Sequence, residues 1–199
     1  MQEIEVKFCL ADLPALESRL QSLGAELTKP RVHEYNLRFD TPEGDLIRSN
    51  QVLRLRRDAK TTVTYKAPGV IQDGASSRRE INLTVGNFEA AKAVFEALGY
   101  QVNFIYEKYR ATYRFADVEV VLDETPLGNF VEIEGPNGSA IQSAAARLGL
   151  DWAARSIKSY LALFYLVRIA LGASFRDMTF ANFEEVDLVP YTMGIWFAD

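Results

Sequence analysis

The sequence predicts an α+β fold: a closed or nearly closed antiparallel β-barrel with helices packed outside and charges lining a water-filled lumen. Three observations lead there. Segment after segment alternates charged and apolar residues with a period of two, the pattern of strands whose two faces meet different surroundings. The charged faces come in blocks of one sign, with Glu3/Glu5, Arg54/Arg56, Lys108/Arg110 and Glu132/Glu134 as like-signed pairs at i, i+2. Amphipathic helical stretches between the strands supply cover for the apolar faces.

In chain order, Glu3-Ile4-Glu5-Val6-Lys7 forms the first strand, with Glu3, Glu5 and Lys7 on one face and Ile4, Val6 and Phe8 on the other. Cys9 follows it. Asp12-Leu13-Pro14 reads as an N-cap with Pro in the first turn, and Leu13, Leu16, Leu20 and Leu23 recur at helical spacing up to Gly24. A strand over about residues 32–39 runs into the turn formers of residues 40–45, and strands over 52–57 and 62–66 flank the hairpin loop Asp58-Ala59-Lys60. Residues 67–77 read as a Gly/Pro/Ser loop, residues 78–85 as a strand, and Asn87 as the cap of a helix ending near Gly99.

Here the chain repeats itself. A strand, a helix and Ser22-Leu23-Gly24 in the first half are matched by Glu80-Ile81-Asn82-Leu83-Thr84-Val85, a helix and Ala97-Leu98-Gly99 in the second, each followed by a strand containing tyrosine, Tyr35 or Tyr109. Two such halves can face each other across a pseudo-twofold axis. Strands follow at about 104–115, 118–122 and 130–134, then a helix near 140–148 and a last helix over about 154–171. The apolar run Tyr160–Ala173, broken by Arg168, is too short for the ~30 Å core of a bilayer, so no membrane span is expected. Residues 174–199 carry Phe175, Phe180, Phe183, Tyr191, Trp196 and Phe197, too aromatic for a disordered tail; they are expected to close one tunnel mouth or form a homodimer interface.

At 199 residues, with no Pro/Gly/Ser-rich linker dividing them, one domain is expected. A formal net charge of -5 disfavours general nucleic-acid binding. One cysteine and an acidic first strand in place of a signal peptide point to a cytoplasmic protein. The lone His33 has no His or Cys at metal-ligand spacing and is expected to be a surface or hydrogen-bonded residue.

An ordinary wet surface mixes its charges, whereas like-signed pairs at i, i+2 repel unless a ligand of opposite sign lies between them. Carboxylates in a ring, from Glu3, Glu5, Asp123, Glu132 and Glu134, suit Mg²⁺ or Mn²⁺. The cations Lys7, Arg54, Arg56, Lys66, Arg78, Lys108 and Arg110 suit several phosphate groups in a row. Metal and polyphosphate together would neutralise both sets, which argues for a triphosphate-type small-molecule ligand.

Glu3-x-Glu5-x-Lys7 resembles the signature of the CYTH superfamily, the triphosphate tunnel metalloenzymes. The resemblance extends through Phe39-Asp40-Thr41-Pro42, Leu53-Arg54-Leu55-Arg56, Tyr65-Lys66, Arg78-x-Glu80, Lys108-x-Arg110, Leu122-Asp123, Phe130-Val131-Glu132-Ile133-Glu134 and Ser159-Tyr160-Leu161. It covers about residues 1–165, the expected tunnel domain, and leaves 166–199 as a C-terminal aromatic extension packed on it or at a dimer interface. It implies eight antiparallel strands, acidic residues holding divalent metal and basic residues gripping a triphosphate. Glu3, Glu5 and Lys66 are then the candidate catalytic residues. One metal is expected mainly at Glu3, Glu5, Glu132 and Glu134, and a second near Asp123 and Glu80. The expected activity is hydrolysis of the terminal phosphate of tripolyphosphate or a small organic triphosphate such as thiamine triphosphate. The alternatives are a class IV adenylate cyclase and a non-catalytic polyphosphate or nucleotide sensor. Two positions depart from the family pattern: Asn82 stands where a second carboxylate is common, and Arg38 where an aromatic residue is common.

Overall fold

The computed structural model describes residues 2–186 and 188–199. Nine strands make one antiparallel sheet: β1 (Gln2–Leu10), β2 (Glu26–Asp40), β3 (Val52–Arg57), β4 (Thr61–Lys66), β5 (Val70–Gln72), β6 (Ala75–Val85), β7 (Gln101–Phe115), β8 (Val118–Thr125) and β9 (Gly128–Glu134). Their order is β1-β9-β8-β7-β2-β3-β4-β6-β5, and pairing of β1 with β6 from Gln2–Arg79 to Glu5–Ser76 closes eight of them into a ring. The ninth, β5, continues beside β6 where β4 stops after Lys66. Exchanging β1 with β6, β2 with β7, β3 with β8 and β4 with β9 reproduces the ring order in reverse, so the two halves are related by a pseudo-twofold axis through the β1–β6 and β2–β7 pairings.

The helices are α1 (Leu13–Ser22), α2 (Asp45–Arg48), α3 (Phe88–Ala97), α4 (Gly138–Leu148) and α5 (Tyr160–Leu171). The carboxylate of Asp12 caps α1 by accepting from the Ala15 amide, and Asn87, Asn137 and Ser159 cap α3, α4 and α5 in the same way. Leu13, Leu16 and Leu20 of α1 and Ile141, Ala145 and Leu148 of α4 cover the outward side chains Val6, Phe8, Val131 and Ile133. Truncating a fully buried residue there, such as Phe8, costs about 3–5 kcal/mol. Phe88 of α3 packs on Leu37, Phe39 and Leu55.

Four spans differ from expectation. Cys9 lies inside β1 rather than after it. The expected loop 67–77 contains β5 and the start of β6. Strand β2 begins at Glu26, where pairing with β7 is interrupted by register shifts around Leu27, Lys29 and Val32. The last helix starts at Tyr160, not near 154, because Ser156 is taken by β1: its amide donates to the Lys7 carbonyl (2.7 Å) and its carbonyl accepts from the Lys7 amide (3.0 Å).

Not every helix lies purely outside. In α5, Tyr160, Leu161 and Phe164 join Cys9, Phe104, Tyr106 and Phe130, which share the inward parity of their strands, in an apolar cluster that stops one end of the ring. Residues 175–199 pack behind it through Phe175, Met178, Phe183, Met193 and Ile195. They also pair with bare strand edges: Met178 bonds with Ile105 and Glu107 of β7, and Ala198 with Cys9 of β1. Among the described residues no helix is long and apolar enough to cross a membrane.

Candidate functional site

The ring encloses a cavity of about 420 Å³. Because the pleat sends alternate residues inward, Glu3, Glu5 and Lys7 of β1 reach it with Arg54 and Arg56 of β3, Lys66 of β4, Arg78, Glu80 and Asn82 of β6, Lys108 and Arg110 of β7, and Glu132 and Glu134 of β9. Of the expected site residues only Asp123 does not line the cavity. It shares their inward parity but is fully buried beneath Lys108, Arg110 and Tyr160.

Among the described residues ten Lys or Arg and six Glu side chains line the cavity, in a chain of net charge -5. Low-dielectric walls with this local excess focus a positive potential inside a protein that is negative outside.

The charges sort into two kinds. Some are locked. Asp123 accepts from Arg110 through both oxygens, Nε at 2.6 Å, and its Oδ2 also takes Lys108 Nζ (3.0 Å) and the Tyr160 hydroxyl (2.7 Å). Glu132 pairs with Lys7 and Arg110, and these ion pairs hold its carboxyl well below the usual range although burial opposes its charge. Glu34 contacts Arg56 (3.2 Å) and Lys108 (3.8 Å); against burial, Lys108, Arg110 and Arg56 hold it at about 2. Lys66 bridges Glu3 (2.6 and 2.7 Å) and Glu80 (2.9 Å). Burial, with Glu5 and Glu80 nearby, pushes Glu3 up to about 8 despite Lys66, while Lys66, Glu3 and Asn82 hold Glu80 down to about 2 against its own burial. The two carboxyls share one lysine and titrate as a pair.

Others are open. Glu5, Glu134 and Glu119 stand in register across β1, β9 and β8. Burial together with Glu5, Glu119 and Glu80 pushes Glu134 up to about 7. A group of carboxylates that repel one another inside a cavity gains from a cation, and their hard oxygens fit Mg²⁺ or Mn²⁺. Glu5, Glu119 and Glu134 are therefore available for metal; Glu3 and Glu80 reach the same cavity but share Lys66, and Asp123 and Glu132 are engaged by cations. Among the described residues no three acidic, His or Cys side chains already stand as a cage. His33 lies 3.8 Å from Glu107, its ring centroid 5.0 Å from that of Tyr109 and tilted against it.

Four residues were missed by the sequence reading. Glu119 shares the inward parity of Asp123, and Asp117 two residues before it is the like charge that could have marked it; Glu34 shares the parity of Arg38 but has only Val32 and Asn36 at i−2 and i+2. Phe104 and Tyr106, with ring centroids 5.6 Å apart, line the wall beside Arg38; in the sequence they pass for core aromatics.

The CYTH domain model matches residues 1–156. The chain is 29% identical over 136 residues to a Methanocaldococcus jannaschii protein named as a candidate adenylate cyclase, covering 67% of this chain and 77% of that one. It is 26% identical over 174 residues to an Aeromonas hydrophila protein named adenylate cyclase CyaB, covering 81% and 87%. A Vibrio parahaemolyticus structure described as a candidate adenylate cyclase superposes with a TM-score of 0.74 at 19% identity, over 82% of this chain and 97% of that one. A ring of alternating strands with charges turned inward, a two-half topology and a family match over most of its length agree: the chain belongs to the CYTH domain family.

Proposed function

We propose that the protein hydrolyses the terminal phosphate of a triphosphate whose organic part is small or absent, inorganic tripolyphosphate or thiamine triphosphate, with Mg²⁺ or Mn²⁺. The observation that carries this is the charge of the cavity wall, ten cations to six carboxylates in a net-negative chain. A linear polyphosphate with a divalent cation is the small molecule that balances such a wall. Glu5 and Glu134, with Glu3 and Glu80 that share Lys66 beside them, would hold the metal. When bound, such a cation polarises phosphate oxygens and lowers the pKa of water. Arg54 and Arg78, which line the cavity, would bind phosphate oxygens, and Lys66, held between Glu3 and Glu80, would stabilise charge on the leaving group.

A second reading has its own support. The Methanocaldococcus jannaschii and Aeromonas hydrophila relatives are named for adenylate cyclase activity, and the paired rings of Phe104 and Tyr106 give the wall a surface on which a base can stack. Cyclisation requires in addition that the 3′-hydroxyl be held in line with the α-phosphorus. Incubation with tripolyphosphate, thiamine triphosphate and ATP, each with Mg²⁺ and with Mn²⁺, followed by product identification, separates the two. Orthophosphate from tripolyphosphate or thiamine triphosphate is expected; cyclic AMP and pyrophosphate from ATP, with tripolyphosphate untouched, would overturn the hydrolase reading.

A further inference from the structure

We propose that Arg38 is a phosphate-binding, specificity-determining residue, the third member of an arginine cluster with Arg54 and Arg78 that takes the polyanionic chain of the ligand. The inference rests on the triphosphate reading and adds to it which cations do the gripping.

Lys7, Arg56, Lys66, Lys108 and Arg110 each already contact a carboxylate. An anion arriving at any of them must compete with a bond already made. Among the described residues, Arg38, Arg54 and Arg78 line the same cavity with no carboxylate at ion-pair distance. Lys29 and Lys60 are likewise unpaired, but both are exposed and served by water. The three arginines are partly buried. Arg54 has only neutral partners, the Tyr106 hydroxyl (3.2 Å) and Thr64 (3.1 Å), and its buried Nε has none.

Arg38 and Arg54 are direct cross-strand partners on β2 and β3, an arrangement that destabilises a sheet when both residues carry the same charge. Burial, with Arg54 and Arg78 close by, pulls Arg38 below the ordinary arginine range. A wall that sets three partly buried arginines in one cavity with no carboxylate at ion-pair distance leaves a demand for anions there. On its other side Arg38 faces Phe104 of β7. A neutral group lodged between them would leave the guanidinium unpaired, whereas a phosphate oxygen satisfies it through its planar fork. The cluster thus selects phosphate over an uncharged moiety at this point of the wall.

The test sets affinity against stability. Tripolyphosphate is titrated calorimetrically into the full chain and its Arg38→Met, Arg38→Gln and Arg38→Lys variants, with EDTA and again with Mg²⁺, and thermal unfolding is measured without ligand. Affinity is expected to fall about tenfold or more in the Met and Gln variants, while their unliganded melting temperature holds or rises because a like-charge contact is gone. Arg38→Lys should recover part of the affinity. Arg110→Met, the control, should lower the melting temperature by removing the two-pronged partner of the buried Asp123 and one partner of Glu132. Unchanged affinity in both neutral variants, or a loss that tracks a fall in melting temperature, overturns the role of Arg38. Failure of the parent protein to bind tripolyphosphate in either buffer overturns the triphosphate reading itself.

Discussion

Replacing Glu134 by glutamine should make the metal-free protein more stable, but only on the alkaline side. In the folded state its carboxyl is raised from 4.5 to about 7 by burial and by Glu5, Glu119 and Glu80. A carboxyl whose folded pKa exceeds its unfolded one contributes stability that is complete below 4.5 and lost as the pH climbs through about 7. The full loss corresponds to about 3 kcal/mol. Glu134 is partly open to water, which screens its neighbours and brings the figure to about 2 kcal/mol. For a chain of this size that is about 4–8 °C in melting temperature. Thermal unfolding by circular dichroism in EDTA should show parent and Glu134→Gln together at pH 4 and separated by that margin at pH 8.5, the variant higher. Added Mg²⁺ or Mn²⁺ should raise the parent more than the variant. Equal gaps at the two pH values, or a less stable variant at pH 8.5, would refute the account of repelling carboxylates.

Glu3→Gln or Glu5→Gln should abolish turnover of the accepted triphosphate while the circular dichroism spectrum stays unchanged, full activity in the double variant being the contrary result. Asp123→Ala leaves the buried Lys108 with only Glu34 at 3.8 Å and Arg110 with only Glu132, and should cost about 3–5 kcal/mol, read as a drop of roughly 6–20 °C in melting temperature. A methyl group at Gly69 would lie 3.0 Å from Nη2 of Arg78, so Gly69→Ala should displace that side chain and weaken tripolyphosphate binding several-fold by calorimetry, with stability within about 0.5 kcal/mol of the parent.

The inward wall was legible because strand periodicity is two. Once Glu3 and Glu5 face inward, parity alone carries Lys7, and the same reasoning orders Arg54/Arg56, Lys108/Arg110 and Glu132/Glu134, each pair confirmed on the cavity wall. What parity does not convey is pairing across the ring. Nothing local marks that Arg110 spends its donors on Asp123 and Glu132, or that Arg38 meets Arg54 with no carboxylate between them. The start of β2 was missed because Glu26–Arg31 is exposed, contains Pro30, and pairs with β7 through irregular register. Three-residue β5 was missed because all its side chains are exposed and it lies among turn formers. The segment before Tyr160 looked helical, and its backbone was claimed instead by the bare edge of β1.

That edge has a kinetic consequence. The partners of β1 are residues 76–79 and 129–134, with Ser156 and Phe197 completing its margin, so none lies near it along the chain. Each contact closes a long loop before it returns any energy, which slows assembly. While the helices and the β3–β4 hairpin form locally, β1 waits as an unpaired strand carrying Val6, Phe8 and Leu10, a template on which another chain can add. Its three glutamate and lysine side chains on alternate positions then act before any ligand is met, keeping that orphan strand from stacking on copies of itself during the slow closure of the ring.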